Sequence, residues 1–141
     1  MLGSGHPVFT VLGDTARMTT TRIASVAATI ASVLALVAAV SAATALPPVT
    51  DEVFVVEVWR VVGLATWAVL FGVLARRPGL VVLWVVALVS KLALAAVGVV
   101  GVLAAQEMPG AADLVLWDGV LSVVLATGTV AAVRARPPER P

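Results

Sequence analysis

Residues 79–104 read GLVVLWVVALVSKLALAAVGVVGVLA, a run of twenty-six residues with one charge, Lys91, near its middle. A helix needs about 20 consecutive apolar residues to cross the hydrocarbon core of a bilayer, so this stretch is long enough on its own. Lys91 is also the only lysine in the chain. An ammonium at the bilayer midplane costs about 2.5 to 3.5 kcal/mol on insertion scales, so Lys91 is expected to face protein or water and to have a partner.

The whole chain has the same character. Of its 141 residues 61% are hydrophobic and 12% charged, and the mean hydropathy is +1.11. Soluble domains carry roughly 25% charged residues, about twice this share, so the composition is that of an integral membrane protein with one compact domain. The absence of cysteine excludes a disulfide framework, a thiol nucleophile and a thiolate metal site, and the lone His6 builds no imidazole cluster. The net charge of +1 matters less than where the charges fall.

Working outward from residues 79–104, three more apolar runs appear, at 23–46, 53–75 and 111–133. Pro47 and Pro48, Arg76-Arg77-Pro78-Gly79 and Met108-Pro109-Gly110 separate the four with helix-stopping chemistry. Connections this short make consecutive helices antiparallel neighbours. The expected fold is therefore all-α, an antiparallel four-helix transmembrane bundle over residues 23–134. Residues 1–22 are expected to form a disordered cytoplasmic tail and residues 135–141 a second cytoplasmic tail. Arg17, Arg22, Arg76, Arg77, Arg134, Arg136 and Arg140 all fall at one end of the bundle, whereas the opposite loops carry Asp51, Glu52 and Glu107. Cytoplasmic flanks accumulate basic residues, which predicts both termini inside the cell and a location in the plasma membrane. The first run also has features of a cleavable secretory signal, with small residues at Ser41-Ala42-Ala43, although it is longer than the usual apolar core of such signals. Met18 is an alternative start.

Alanines at 24, 28, 31, 35, 38 and 42 draw one stripe along the first span, while Val26, Ile30, Val33, Leu36 and Val40 lie off it. In lipid, small residues let helix backbones approach closely, so this span is expected to be a packing helix. In the third span Ala87, Ala95, Gly98 and Ala105 share the Lys91 face, which points the lysine at a neighbouring helix. The second span carries Glu57 and Arg60 on one face with Leu64, Trp67 and Phe71; the fourth carries Asp118 in line with Ser122 and Thr129. Asp113 falls off that line, near the outer boundary.

At about 1.5 Å per residue from the midpoints of the spans, Arg60 and Asp118 fall level with each other, Glu57 somewhat further out and Lys91 near the middle. Two acids and two bases in one half of the membrane form a neutral set, as burial in a low dielectric demands. The expected site is an intramembrane polar cluster of Glu57, Arg60, Lys91 and Asp118, with Trp67, Trp84, Ser122 and Thr129 as candidate lining. Either deep tryptophan is placed to lie against a cation. A blander reading keeps Glu57 and Arg60 as a local pair in the headgroup region. Trp59 and Trp117 read as interfacial anchors.

No phosphate loop, metal-ligand spacing, catalytic triad order or HExxH motif is present, so neither an enzyme nor a cofactor is expected. The arginines occur in ones and twos at span boundaries, which gives no nucleic-acid face. The small multidrug transporters are similar in size, but they place a functional carboxylate in the first span, and this first span has none. The segment Glu57-Val58-Trp59-Arg60-Val61-Val62-Gly63-Leu64 resembles, at Arg60 and Gly63, the Arg-x-x-Gly opening helix of DoxX-like proteins. Those are small bacterial four-helix membrane proteins linked to membrane redox complexes, and in them the motif belongs to the first helix rather than the second. Nothing is carried over from the resemblance beyond Arg60, and the accessory reading comes instead from the lack of a broken helix or inverted repeat that would signal alternating access. Two function classes follow: an accessory or interaction subunit with a membrane protein partner, or a small carrier or channel acting as a homo-oligomer.

Overall fold

The computed structural model describes residues 8–46, 51–104 and 110–136, with side chains described from residue 15 onward in the first segment and from residue 54 in the second. It contains four helices: α1 (Val8–Thr44), α2 (Asp51–Arg76), α3 (Val81–Leu103) and α4 (Ala111–Arg134). All four include stretches long and apolar enough to cross a membrane. The chain is a small multi-pass membrane protein.

The spans expected from the sequence differ from these helices by two residues or fewer at every boundary but one. Helix α1 starts at Val8 rather than at Ile23, so residues 8–22 are helical where a structureless tail was expected. The threonines of this extension return their hydroxyls to the helix backbone, which satisfies them locally: Thr19 donates to the Thr15 carbonyl, Thr20 to Ala16 and Thr21 to Arg17. Arg17 Nε donates to the Ala135 carbonyl across 3.0 Å, which ties α1, in its third turn, to the end of α4. His6, Pro47, Pro48, Ala105, Glu107, Met108, Pro109 and Arg140 lie outside the described residues. The turn between α2 and α3 is closed by Leu80 N–H donating to the Arg77 carbonyl, and Gly110 begins α4 with φ of 82°, a left-handed conformation that suits glycine.

Antiparallel packing is visible in the pairings. Along α3 and α4, Trp84 meets Gly128, Lys91 meets Asp118 and Gly98 meets Leu114, so one helix descends as the other climbs. Between α1 and α2, Ser32 Oγ donates to the Ala68 carbonyl across 2.8 Å. The close backbone neighbours are α1 with α2, α1 with α4, and α3 with α4. Helices α2 and α3, although joined by the shortest turn, do not pack backbone to backbone in the same way.

Residue size explains that order. Helix α1 buries Ala24, Ala27, Ala28, Ala31, Ala35, Ala39 and Ala42, and α4 buries Gly128, Ala131 and Ala132. Alanine seams bring α1 close to both its neighbours, where van der Waals packing replaces the hydrophobic effect as the force between helices. The expected stripe is present, except that Ala38 is half-buried and Ala39 takes its place; Val26, Ile30, Val33, Leu36 and Val40 are exposed. Bulk is concentrated elsewhere. Phe71 and Leu74 on α2, Trp84 on α3 and Leu125 on α4 are the largest fully buried side chains. The antiparallel arrangement also gathers Arg17, Arg22, Arg76, Arg77, Arg134 and Arg136 at one end of the bundle.

Candidate functional site

Lys91 is 2% exposed and Asp118 6%, and Lys91 Nζ donates to Asp118 Oδ1 across 2.7 Å. A contact this short is typical of a charge-assisted hydrogen bond. Lys91 reaches Asp118 because α3 approaches α4 closely on both sides of the pair. Toward the arginine-rich end, Gly128 leaves room for the indole of Trp84. Toward the opposite end, Gly98 brings α3 against the first turns of α4, where the position of its absent Cβ lies 2.9 Å from Leu114 Cβ and from the Val115 amide nitrogen.

A third group completes the site. Trp67 of α2 presents its ring to the ammonium, with Nζ 5.4 Å from the ring centroid. The negative face of the indole attracts a cation and is worth about 0.5 to 2 kcal/mol, more when the pair is shielded from water. Phe71, one turn along α2, stacks on Trp67 at 5.4 Å between centroids and 28° between planes, which fixes the shelf on which Lys91 rests. Thus α2 and α3 meet here through side chains.

The other residues singled out from the sequence take different roles. Trp84 does not touch the cation in this way; its Nε1–H donates to the Pro78 carbonyl at 3.0 Å and its ring fills the core. Ser122 is buried and donates to the Asp118 carbonyl at 2.7 Å, and Thr129 donates to the Leu125 carbonyl at 2.7 Å. Both hydroxyls are therefore used within α4.

Glu57 and Arg60 are not brought into the Lys91 site. They pair with each other at 3.3 Å, with side chains 29% and 53% exposed. The expected level of Arg60 with Asp118 assumed that α2 is centred in the membrane like its neighbours. Arg60 lies seven residues, about 10 Å along the helix axis, from Trp67 toward the start of α2, and its guanidinium pairs with Glu57. Arg60 then falls too far from Lys91 and turns to Glu57. The expected cluster of four is a buried pair and a separate surface pair. Trp59 and Trp117 are both exposed, and Asp113 is exposed in the first turn of α4.

Sequence reasoning did not single out Ser32, which spends its hydroxyl on the carbonyl of Ala68 and locks α1 to α2. Its position between Ala31 and Ala35 on the packing stripe was the available signal. Among the described residues no group of three metal-ligating side chains converges, and no buried side-chain nitrogen or oxygen lacks a hydrogen-bond partner. Chemically, the arrangement is a formally neutral buried pair beside an indole, with the ammonium bonded to Asp118 Oδ1. No protein-family model matches the chain, nor does any characterised protein or solved structure.

Proposed function

We propose that this protein is an accessory or interaction subunit of a membrane complex, held in the plasma membrane with both termini in the cytoplasm. The observation that carries the reading is the closure of the Lys91–Asp118 pair. A transported ion or substrate would have to enter a site in which both charged groups are almost fully buried and already bonded to each other. Breaking such a pair strands a charge at a cost of about 3 to 5 kcal/mol, whereas the intact pair serves to fix the register of α3 against α4. The alanines of α1, which could have paired two copies of the chain in a dimeric carrier, are used inside the bundle. The arginine-rich end supplies the cytoplasmic assignment.

The test is native mass spectrometry of the protein extracted gently from its own host membrane. A retained adduct with a different protein is the expected result and names the complex. A bare homodimer, or one holding a small molecule, would overturn the reading in favour of a carrier and direct the work to transport assays.

A further inference from the structure

One face of α2 is buried in one half of the bundle and uncovered in the other. Trp67, Ala68, Phe71 and Leu74 occupy about a third of the helix circumference; the last three are buried and Trp67 lies against Lys91. Arg60 stands seven residues from Trp67, and Leu64 and Glu57 stand seven and fourteen from Phe71, so all three return to that same face nearer the start of the helix. There the covering is missing. The side chains of Arg60 and Glu57 are 53% and 29% exposed, Leu64 is half-buried, and no residue from 54 to 66 is buried.

The rest of the bundle thins at the same level. Phe71, Leu74, Trp84 and Leu125, the largest fully buried side chains, all lie on the arginine-rich side of Trp67, Lys91 and Asp118. Beyond that level α3 and α4 bury only Gly98, Gly101 and Ala111 among the described residues, and Gly98 packs on Ala111 and Leu114, which joins α3 to α4 rather than to α2. Val102, eighteen residues and about five turns from the fully buried Trp84, points the same way as that indole and is 56% exposed. A space is thus left between the first half of α2 and the α3–α4 pair. It ends at Trp67, beneath which Lys91 and Asp118 stay buried.

Depth and charge specify what fills it. Lys91 stands ten residues, about 15 Å, from the start of α3, half the hydrocarbon thickness of a bilayer. Arg60, about 10 Å beyond that level, therefore borders the space from within the hydrocarbon region, with Glu57 close to its boundary. Among the described residues the Arg60 guanidinium makes one bond, to Glu57 at 3.3 Å. Acyl chains offer nothing to its remaining N–H groups, and ionisable side chains within spans face protein or a water-filled cavity.

We propose that the first half of α2 and the α3–α4 pair border a water-filled vestibule, open at the end opposite the arginines, walled on one side by Glu57 and Arg60 and closed below by Trp67. It admits water and small ions of the outer aqueous phase. The vestibule is independent of the accessory-subunit reading and rests on the protein being in a membrane.

The chain has no cysteine, so a single introduced thiol reports on its own surroundings. The full chain is produced in its own host cells with Leu64→Cys on the vestibule face, Val62→Cys on the opposite, exposed face of α2, or Leu74→Cys in the packed half. Each is treated from outside with a membrane-impermeant trimethylammonium methanethiosulfonate, and the mass shift is followed in time. The thiolate is the reactive species and forms in water but not in hydrocarbon, so Leu64→Cys is expected to react at least about tenfold faster than the other two. Gly63→Cys, whose Cβ would meet nothing within 4 Å, is expected to behave as Leu64→Cys does and gives the answer if loss of Leu64 disturbs folding. Equal rates at Leu64→Cys and Val62→Cys, fast or slow, would overturn the proposal. Reaction of Leu64→Cys only after the membranes are broken open would overturn the outward opening.

Discussion

The six-membered ring of Trp84 occupies the space in which a side chain at Gly128 would begin. Since Trp84 is fully buried and its Nε1–H is held by the Pro78 carbonyl, the ring cannot move aside without losing that bond. A methyl group at this position therefore overpacks the contact between α3 and α4. We expect Gly128→Ala to destabilise the bundle by about 1 to 3 kcal/mol, although alanine is intrinsically better in a helix by about 1 kcal/mol. Denaturant titration in detergent followed by circular dichroism measures the difference. Adding Trp84→Phe should restore part of it, because the smaller ring no longer reaches the new methyl. An unchanged midpoint in Gly128→Ala would mean that the indole is not confined.

The buried pair gives a sharper contrast. Lys91→Met leaves Asp118 without its counter-charge in an apolar interior, and a loss of about 3 to 5 kcal/mol is expected. Lys91→Met combined with Asp118→Leu removes both charges and should recover most of that loss, as apolar replacements of buried ion pairs often do. The same titration reads both. A double variant no more stable than the single would show that the two charges do not depend on each other.

Much of this was legible in the sequence, for reasons that differ between the elements. The spans were readable because the bilayer imposes a length on apolar runs, and the packing face of α1 because alanine and valine differ in bulk. The direction of Lys91 followed from its company of small residues. What the sequence did not carry was the relative height of the helices. The midpoint of α2 placed Arg60 beside Asp118, yet it is Trp67, two turns further along α2, whose ring lies against Lys91, while Glu57 and Arg60 pair with each other. Nor did the apolar count detect that Thr15 to Arg22 continue α1, because polar threonines that bond back to their own helix look like tail.

The surface pair should behave unlike the buried one. Glu57 and Arg60 stand one turn apart with both side chains substantially exposed, and exposed ion pairs are commonly worth about 0.2 to 1 kcal/mol. Arg60→Gln is expected to shift stability by less than about 0.5 kcal/mol, against several for Lys91→Met. A loss in Arg60→Gln as large as that in Lys91→Met would place Arg60 in an essential contact that its exposure does not suggest.

Two glycines separate close approach from mere permissiveness. At Gly98 a methyl group would press on Leu114, on the Val115 amide nitrogen and on the Ala111 carbonyl at 2.9 to 3.0 Å, contacts that include backbone and so cannot yield by a rotamer change. At Gly63 nothing lies within 4 Å of the same position. Gly98→Ala is therefore expected to cost about 1 to 3 kcal/mol by forcing α3 away from α4, whereas Gly63→Ala should be neutral or gain up to about 1 kcal/mol from helix propensity. Because α3 and α4 also carry the ion pair, Gly98→Ala should further weaken the coupling between Lys91 and Asp118. A double-mutant cycle for that pair, repeated in the Gly98→Ala background, reads the effect as a smaller interaction energy. An unchanged interaction energy would mean that the pair holds its geometry without the close approach at Gly98.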